Sequence, residues 1–259
     1  MQATAVLPQI GGCTSHRVGS YQMSGLVSFA EAFAEVGGSY DEEHDVQTSY
    51  AYATIEKLNI GDMLTADRVV SRMMVYSPAG DHGGEHTFDI TGSYFENLKI
   101  AGHPIDIPLA TGDFHQLNSY SKFNAAYKDK SADEWLVFNK LRDLHDAEIS
   151  DLEDRYTALR GMGRMTKTWK TDKHRDPKDH YLCSAAGQLN LSKYAGSNSE
   201  LKGYGGIILI PKFGVIRLAE VLINKHVRTL TMFRVEMCST GAGSTCGCHG
   251  GTGGGNGYP

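Results

Sequence analysis

The feature that most constrains this chain is a series of short β-forming segments, each closed by a turn that contains glycine or proline. Residues 50–60 begin with Tyr50, Tyr52 and Thr54 on one parity and end at Gly61 and Asp62. Residues 68–76 follow and end before Pro78. Alternation at period two between such turn residues is typical of strands in an antiparallel sheet. The pattern therefore predicts β structure in this part of the chain.

Residues 94–100 and 105–109 give the clearest pair of strands. The second segment has isoleucine or leucine at every other position, so its apolar side chains share one face. A short connection with one glycine separates the two segments, and such a connection is typical of a β-hairpin. We predict that the two segments pair antiparallel and turn at residues 101–103.

The same chemistry returns towards the C-terminal end. Residues 205–211 and 215–223 are rich in isoleucine, leucine and valine. Residues 230–237 place Thr231, Phe233, Val235 and Met237 on one side, and turn residues separate the segments. Together with the earlier segments they predict one mainly β domain over residues 1–238, with an antiparallel β-sandwich-like fold. A chain of 259 residues can bury the core of such a domain without dividing.

One region departs from the β pattern and is predicted to be helical. Residues 131–134, Ser-Ala-Asp-Glu, form a capping box. Apolar residues then recur at spacings of three and four, which predicts one long amphipathic helix from about Ala132 to about Arg160. This helix would lie in an insertion that covers residues 113–200. Its apolar stripe would pack on the host sheet or on a neighbouring subunit. The residues expected at that contact are Phe138, Leu141, Leu152, Tyr156 and Leu159.

Residues 239–259 contain nine glycines in twenty-one positions. Because glycine loses more backbone freedom on ordering than any other residue, we predict a glycine-rich tail unless a partner orders it. The tail also offers thiolate and imidazole groups, which are good ligands for Zn(II) or Cu(I). The alternative is that its cysteines are incidental or oxidised together. The candidate metal ligands are Cys238, Cys246, Cys248 and His249.

Two further clusters could bind a metal. The acidic run at residues 41–45 could bind calcium through its carboxylates, but it lacks the alternation of a calcium loop, so a solvated turn suits it better. Histidines spread over loops could also meet around a metal, although such side chains are more often solvated. These histidines are His82, His86, His103 and His115.

Charge and motif content exclude several classes of function. A formal net charge of -5 gives no broad attraction to nucleic acid, although the basic loop at residues 167–180 could contact one locally. No apolar run is long enough to span a membrane, and no secretory signal is readable at the N-terminus. Nucleophile elbows, phosphate loops and zinc-protease motifs are absent from the sequence. We therefore expect no enzyme activity and no cofactor.

Several of these segments together resemble the secreted bacterial domains known as choice-of-anchor P. The resemblance implies a β-sandwich-like surface or matrix protein at an extracellular or cell-surface location, without established catalytic residues. It skips residues 113–200, which would be the helical insertion. The compartment itself is not readable from the residues. The segments that carry the resemblance are residues 24–27, 53–60, 64–69, 92–105, 210–218 and 230–237.

These observations favour a non-enzymatic structural or self-assembling protein, such as a surface, matrix or filament protein. Its expected partner is another copy of the same chain, in a homo-oligomer or filament that the sheet edges, the helix and the tail would hold together. The alternative is a metal-dependent enzyme or a metal-binding module that uses the histidine loops or the Cys-x-Cys-His tail.

Overall fold

The computed structural model describes residues 3–6, 12–78, 84–128, 180–186, 202–204, 206–210, 213–224, 227–237 and 243–253. These residues form two antiparallel sheets and two short helices, so the prediction of a mainly β, antiparallel fold is confirmed. No helix within these ranges combines the length and the apolar character needed to cross a bilayer. The predicted helix over residues 132–160 lies outside the described residues, together with Phe138, Leu141, Leu152, Tyr156 and Leu159.

The first sheet contains the N-terminal strands and has the central order β1-β4-β5-β6-β9-β10. Four short strands are attached to it, because β2 pairs with β3, β3 with β5, and both β7 and β8 with β6. Its strands are β1 (Gly12–Val18), β2 (Tyr21–Met23), β3 (Val27–Phe29), β4 (Glu31–Asp41), β5 (Val46–Ile60), β6 (Leu64–Pro78), β7 (Thr87–Asp89), β8 (Tyr94–Glu96), β9 (Lys99–Ile100) and β10 (His103–Pro104).

The second sheet has the order β12-β13-β14-β15-β16, and β11 pairs with β14 beside β13. Along the sequence, the helices α1 (Thr111–Gln116) and α2 (Tyr120–Lys128) follow the strands of the first sheet and precede those of the second. The strands of the second sheet are β11 (His180–Ser184), β12 (Lys202–Tyr204), β13 (Ile207–Ile210), β14 (Gly214–Asn224), β15 (Val227–Met237) and β16 (Gly243–Gly253).

The hydrophobic core lies between the two sheets. The strand β15 approaches β6, and β16 approaches β5 and β6, so the sheets stack face to face. Three phenylalanines from β7, α1 and α2 join the same core. Phe88 packs against Phe114 and Phe123 with ring centroids 6.2 and 6.1 Å apart. The helices therefore cover part of the core beside β7 with aromatic side chains.

The strand β5 changes its buried side near its C-terminal end. Ala51 is buried at an odd-numbered position, whereas Leu58 and Ile60 are buried at even-numbered positions. Between them Lys57 has a left-handed backbone with a φ of 53°. Such a residue reverses the alternation of side chains and bends the strand, here without an extra residue, because Glu56 lies opposite Arg68 and Leu58 opposite Ala66. The first sheet can therefore curve over the core.

The strand β14 shares one of its edges between two partners. Its N-terminal part pairs with β13, and its C-terminal part pairs with β11. Gly206 lies at the junction and accepts a hydrogen bond from the Leu218 amide at 2.8 Å. A Cβ atom at Gly206 would contact Ser184 Oγ and would lie 2.6 Å from the Leu218 carbonyl oxygen. The junction therefore requires glycine.

The strand β14 also buries an ion pair. Arg217 Nη1 lies 3.3 Å from Glu220 Oε1, and both residues are 7% exposed. Arg234 of β15 approaches the other carboxylate oxygen, with its Nε 3.1 Å from Glu220 Oε2. The charge of Glu220 is thus shared by two arginines in a site from which water is largely excluded, and loss of that carboxylate would leave buried positive charge.

The predicted tail is corrected in part, because residues 243–253 form β16. This strand pairs antiparallel with β15 of the same chain, from Met237 opposite Gly243 to Val227 opposite Gly253. Glycine offers the same backbone donors and acceptors as any other residue, so a poor side-chain pattern does not prevent pairing. This strand also approaches β5 and β6 of the first sheet.

The predicted hairpin turns where expected but is shorter than predicted. His103 lies opposite Ile100 in the β9–β10 pair, and the Ile105 amide donates to the Leu98 carbonyl at 2.8 Å. Residues 105–109 form no strand, so that part of the prediction is wrong. The prediction that alternate side chains share one buried face is correct for Ile105 and Ile107, which are 5% and 9% exposed. The first arm is shortened because β8 pairs with β6 instead.

Candidate interaction surface

The outer face of the first sheet carries three rows of side chains across β1, β4, β5 and β6. We call this surface the tyrosine face. The rows follow directly from the register of the three strand pairs and lie on the side away from the core. The tyrosine face consists of Cys13, Gly37, Tyr50 and Met74, then Ser15, Glu35, Tyr52 and Arg72, then Arg17, Phe33, Thr54 and Val70.

Tyr50 lies across strand β4 and covers Gly37. A Cβ atom at position 37 would lie 2.6 Å from the Cζ atom of the Tyr50 ring, so glycine is what allows the ring to lie there. The Tyr50 hydroxyl donates to Glu35 Oε1 at 2.7 Å and lies 3.3 Å from Cys13 Sγ. The contacts with Cys13 and then Glu35 raise the pKa of Tyr50 above its usual range. The neutral, hydrogen-bonded phenol is therefore held in one position.

Phe33 and Tyr52 form an aromatic pair beside Tyr50. Their ring centroids are 6.2 Å apart in an edge-on arrangement, which favours the contact of a ring edge with a ring face. The Arg17 guanidinium lies 5.5 Å from the centroid of Phe33, and its Nη1 lies 3.4 Å from Glu31 Oε2. A cation over an exposed ring contributes about 0.5–1 kcal/mol. These contacts hold the side chains of Arg17, Phe33 and Tyr52 in place without burying them.

Arg72 is fixed at the other side of the face. Its Nη1 donates to the Thr91 carbonyl at 2.8 Å, and its Nη2 lies 2.9 Å from the sulfur of Met74. Its backbone is held as well, because the Arg72 amide donates to Ser93 Oγ at 2.9 Å and that hydroxyl donates to the Arg72 carbonyl at 3.0 Å. The guanidinium therefore lies along the sheet and covers part of it with a flat cation.

The composition of the tyrosine face can be compared with that of known protein interfaces. Protein interfaces are enriched in tyrosine, phenylalanine, methionine and arginine and depleted in lysine and acidic residues. The tyrosine face has three aromatic residues, one methionine, two arginines, one glutamate and no lysine. Most of these side chains are half buried in the free chain. The face can therefore bury further apolar area against a flat partner.

A polar cavity of about 330 Å³ lies at the bend of the first sheet. Asp67 accepts hydrogen bonds there from Lys57 Nζ at 2.8 Å and Asn97 Nδ2 at 2.6 Å. The Lys57 and then the Asn97 contact lower the pKa of Asp67. The polar groups of this cavity thus satisfy one another and fix the bend. The cavity is lined by Lys57, Leu58, Thr65, Ala66, Asp67, Asn97 and Lys99.

A second polar cluster links the two sheets through Glu85. Its carboxylate accepts the Ser121 amide at 2.5 Å and also the Ser121 hydroxyl at the start of α2. Burial opposes ionisation of Glu85, but the hydrogen bonds from Ser121 and Ser119 and the charge of Arg228 prevail and lower its pKa. Arg228 of β15 is 2% exposed, and its Nη2 donates to the His86 carbonyl at 3.4 Å.

Three of the candidate metal ligands lie on β16. Cys246 is opposite Arg234, and His249 is opposite Thr231. Because consecutive positions of a strand alternate between its faces, positions 246 and 248 share one face and position 249 belongs to the other. A single strand therefore does not bring all three positions to one side. Cys238 lies outside the described residues.

The structure does not bring the other candidate ligands together. His86 Nδ1 lies 2.7 Å from Ser77 Oγ, whereas His103 and His115 belong to β10 and α1. His82 lies outside the described residues. Asp41 uses its carboxylate within its own turn, where Oδ2 lies 2.8 Å from His44 Nδ1. In the described parts of the chain, no three histidine, cysteine or acidic residues cluster as a metal site would require.

Comparison with known proteins gives one match. A family model matches residues 1–224, which is most of the chain. The chain belongs to the DUF8256 family. That family is described as a domain of unknown function, so membership in DUF8256 assigns no activity. No curated protein and no solved structure matches the chain. The resemblance to choice-of-anchor P domains therefore remains a prediction.

Proposed function

We propose that this domain is a non-enzymatic structural protein that associates with copies of itself through the tyrosine face. The composition of that face carries the proposal, because it combines aromatic, methionine and arginine side chains on one surface without lysine. Tyrosine and arginine are also the residues that most often dominate binding energy at protein interfaces.

The fixed positions of side chains on the tyrosine face support the same function. Tyr50 is held by Glu35 and Cys13, and Arg72 is held by the Thr91 carbonyl. Side chains that are already fixed lose little conformational entropy on binding, so more of the contact energy remains as affinity. A surface prepared in this way suits a partner that is itself flat and rigid.

The charges on and around the face favour a second copy as that partner. Arg17 pairs with Glu31, and Arg68 pairs with Glu56 at 2.6 Å. Because these charges are compensated within one chain, two identical faces can approach without strong repulsion. An isologous contact between two such faces would form a dimer with two-fold symmetry.

The test is sedimentation velocity over a range of concentrations, with the variant Tyr52→Lys. We expect the unchanged chain to associate and the variant to weaken that association by about tenfold or more, which corresponds to about 1.4 kcal/mol. Tyr40→Lys is the matched control, because Tyr40 is 54% exposed and lies outside the tyrosine face. An unchanged chain that stays monomeric at high concentration would contradict the proposal, as would equal association of both variants.

The alternative function, a metal-binding module or metal-dependent enzyme, rests on Cys246 and Cys248 at alternate positions of β16. Two thiolates at alternate positions of one strand could bind Cu(I) or Zn(II) only with further ligands from elsewhere. A titration with zinc, followed by competition with a chromophoric chelator, would detect such a site. Stoichiometric binding that Cys246→Ser abolishes would favour this alternative.

A further inference from the structure

We infer that β1 is a second self-association surface, at which it pairs antiparallel with β1 of another copy. This inference rests on the proposed self-association but concerns the backbone edge of β1, whereas the tyrosine face uses the outward side chains of Cys13, Ser15 and Arg17. The strand β1 is hydrogen-bonded to β4 along its whole length, from Gly12 opposite Gly38 to Val18 opposite Ala32. Within the described residues no strand pairs with its other side.

Among the described residues, the open side of β1 is accessible. Six of its seven residues lie at exposed or half-buried positions, with Val18 the buried one. Residues 3–6 contact the strand through one hydrogen bond, from the Thr4 amide to His16 Nδ1 at 3.2 Å, and that bond uses a side chain. An accessible edge strand offers backbone donors and acceptors to any extended segment that fits it.

Within the described residues, the edge lacks most of the devices that usually prevent pairing, and Arg17 is its one basic side chain besides His16. Natural edge strands are protected by proline, by charged side chains (lysine above all), by bulges, by very short length, or by a helix or loop that covers the edge. The strand β1 has seven residues without proline or lysine, and its register with β4 is continuous. The opposite edge of the first sheet is protected, because β10 has two residues and one of them is Pro104.

The sequence of β1 fits a second copy of itself. Antiparallel pairing of the full strand centres the two-fold axis on Ser15, which then lies opposite Ser15 of the partner subunit. Cys13 lies opposite Arg17 of the partner subunit, and Thr14 lies opposite His16 of the partner subunit. No two like charges are then directly opposite, and such pairs are what destabilise a strand pair. The charge pattern therefore favours the homotypic pairing.

Two different two-fold surfaces on one chain have a consequence for size. An isologous surface alone stops at a dimer, whereas two such surfaces link copies alternately. The tyrosine face and the β1 edge together would produce assemblies larger than a dimer, as a closed even-numbered ring or an open filament. Either surface alone would leave dimers only.

The test places a cysteine on the proposed axis. Ser15→Cys in a Cys13→Ser background should form a disulfide between subunits under mild oxidation, because residues opposite each other in an antiparallel pair have Cα atoms about 4.5–5.5 Å apart, within disulfide range. Ser20→Cys in the same background is the control, since residue 20 is exposed and lies beyond β1. Mass spectrometry of the peptides would identify the bond.

We expect at least about tenfold more 15–15 disulfide than 20–20 disulfide, because pairing raises the effective concentration of the thiols. The same experiment in the Tyr52→Lys background separates the two proposals. A 15–15 disulfide that persists there supports the β1 edge independently of the tyrosine face. Association that Tyr52→Lys abolishes, with no excess of the 15–15 disulfide in either background, would overturn the edge and retain the face.

Discussion

The two sheets of this molecule bury their side chains in different ways. In the second sheet, β14 is buried on both faces, and Val215, Leu218 and Val221 are at most 2% exposed. In the first sheet one face is buried and the opposite one, the tyrosine face, stays half exposed. A strand buried on both sides contributes mainly to stability, whereas an ordered half-exposed face is available to a partner. We therefore expect changes in the second sheet to reduce stability and changes on the tyrosine face to reduce association.

Glu220→Ala should give the largest loss of stability. The change removes the carboxylate that lies between Arg217 and Arg234 and leaves buried positive charge without that counter-charge. Breaking a buried ion pair from one side costs about 3–5 kcal/mol. Urea unfolding followed by circular dichroism would measure it. A loss below about 1 kcal/mol would show that β14 does not depend on this pair and would weaken the contrast between the sheets.

Gly206→Ala should give the next largest loss. The added methyl group would contact Ser184 Oγ and the Leu218 carbonyl, so β11 and β13 could not both remain in place on β14. Overpacking of this kind costs about 1–3 kcal/mol. Gly112→Ala is the matched control, because a Cβ atom at Gly112 meets nothing within 4 Å. Equal unfolding midpoints for the two variants would mean that the junction adapts.

Glu85→Gln should give the smallest loss, and it should depend on pH. Since the folded-state pKa of Glu85 is lowered, its contribution to stability is complete above the unfolded-state pKa of about 4.3 and is lost as the pH falls through the folded-state value. Because Glu85 is exposed, screening should limit the effect to below about 1 kcal/mol.

The comparison for Glu85 uses unfolding curves at pH 7 and at pH 3.5. The difference in stability between the unchanged chain and Glu85→Gln should be present at pH 7 and should shrink at the lower pH. Glu42→Gln, in an exposed turn, is the control for a general effect of charge. A difference that grows on acidification would contradict the lowered pKa.

The strands that could be predicted from the sequence are those whose own residues show a pattern of β-forming side chains. β5, β6, β14 and β15 alternate or concentrate β-forming residues between turns, and the structure confirms them. The strand β4 was missed because Glu31–Asp41 is rich in alanine, glutamate and glycine, which are uncommon in strands. Its strand conformation depends on pairing with β1 and β5 on its two sides.

The tyrosine face could be predicted only in part. The common parity of Tyr50 and Tyr52 is visible in the sequence, and it places both on one face of a strand. Their neighbours Phe33, Glu35 and Arg72 belong to other strands, and a single sequence does not give the register between strands. The contact of Tyr50 with Cys13 spans 37 positions and exists only once that register is fixed.

The ring of Tyr50 above Gly37 ties together positions that are far apart in the chain. Any residue other than glycine at position 37 would displace the ring and separate its hydroxyl from Glu35 and Cys13. Natural variation at these places should therefore be correlated. Related chains that carry a side chain at the position of Gly37 should have a small residue in place of Tyr50, and they should show no preference for an acid or a thiol at the other two positions.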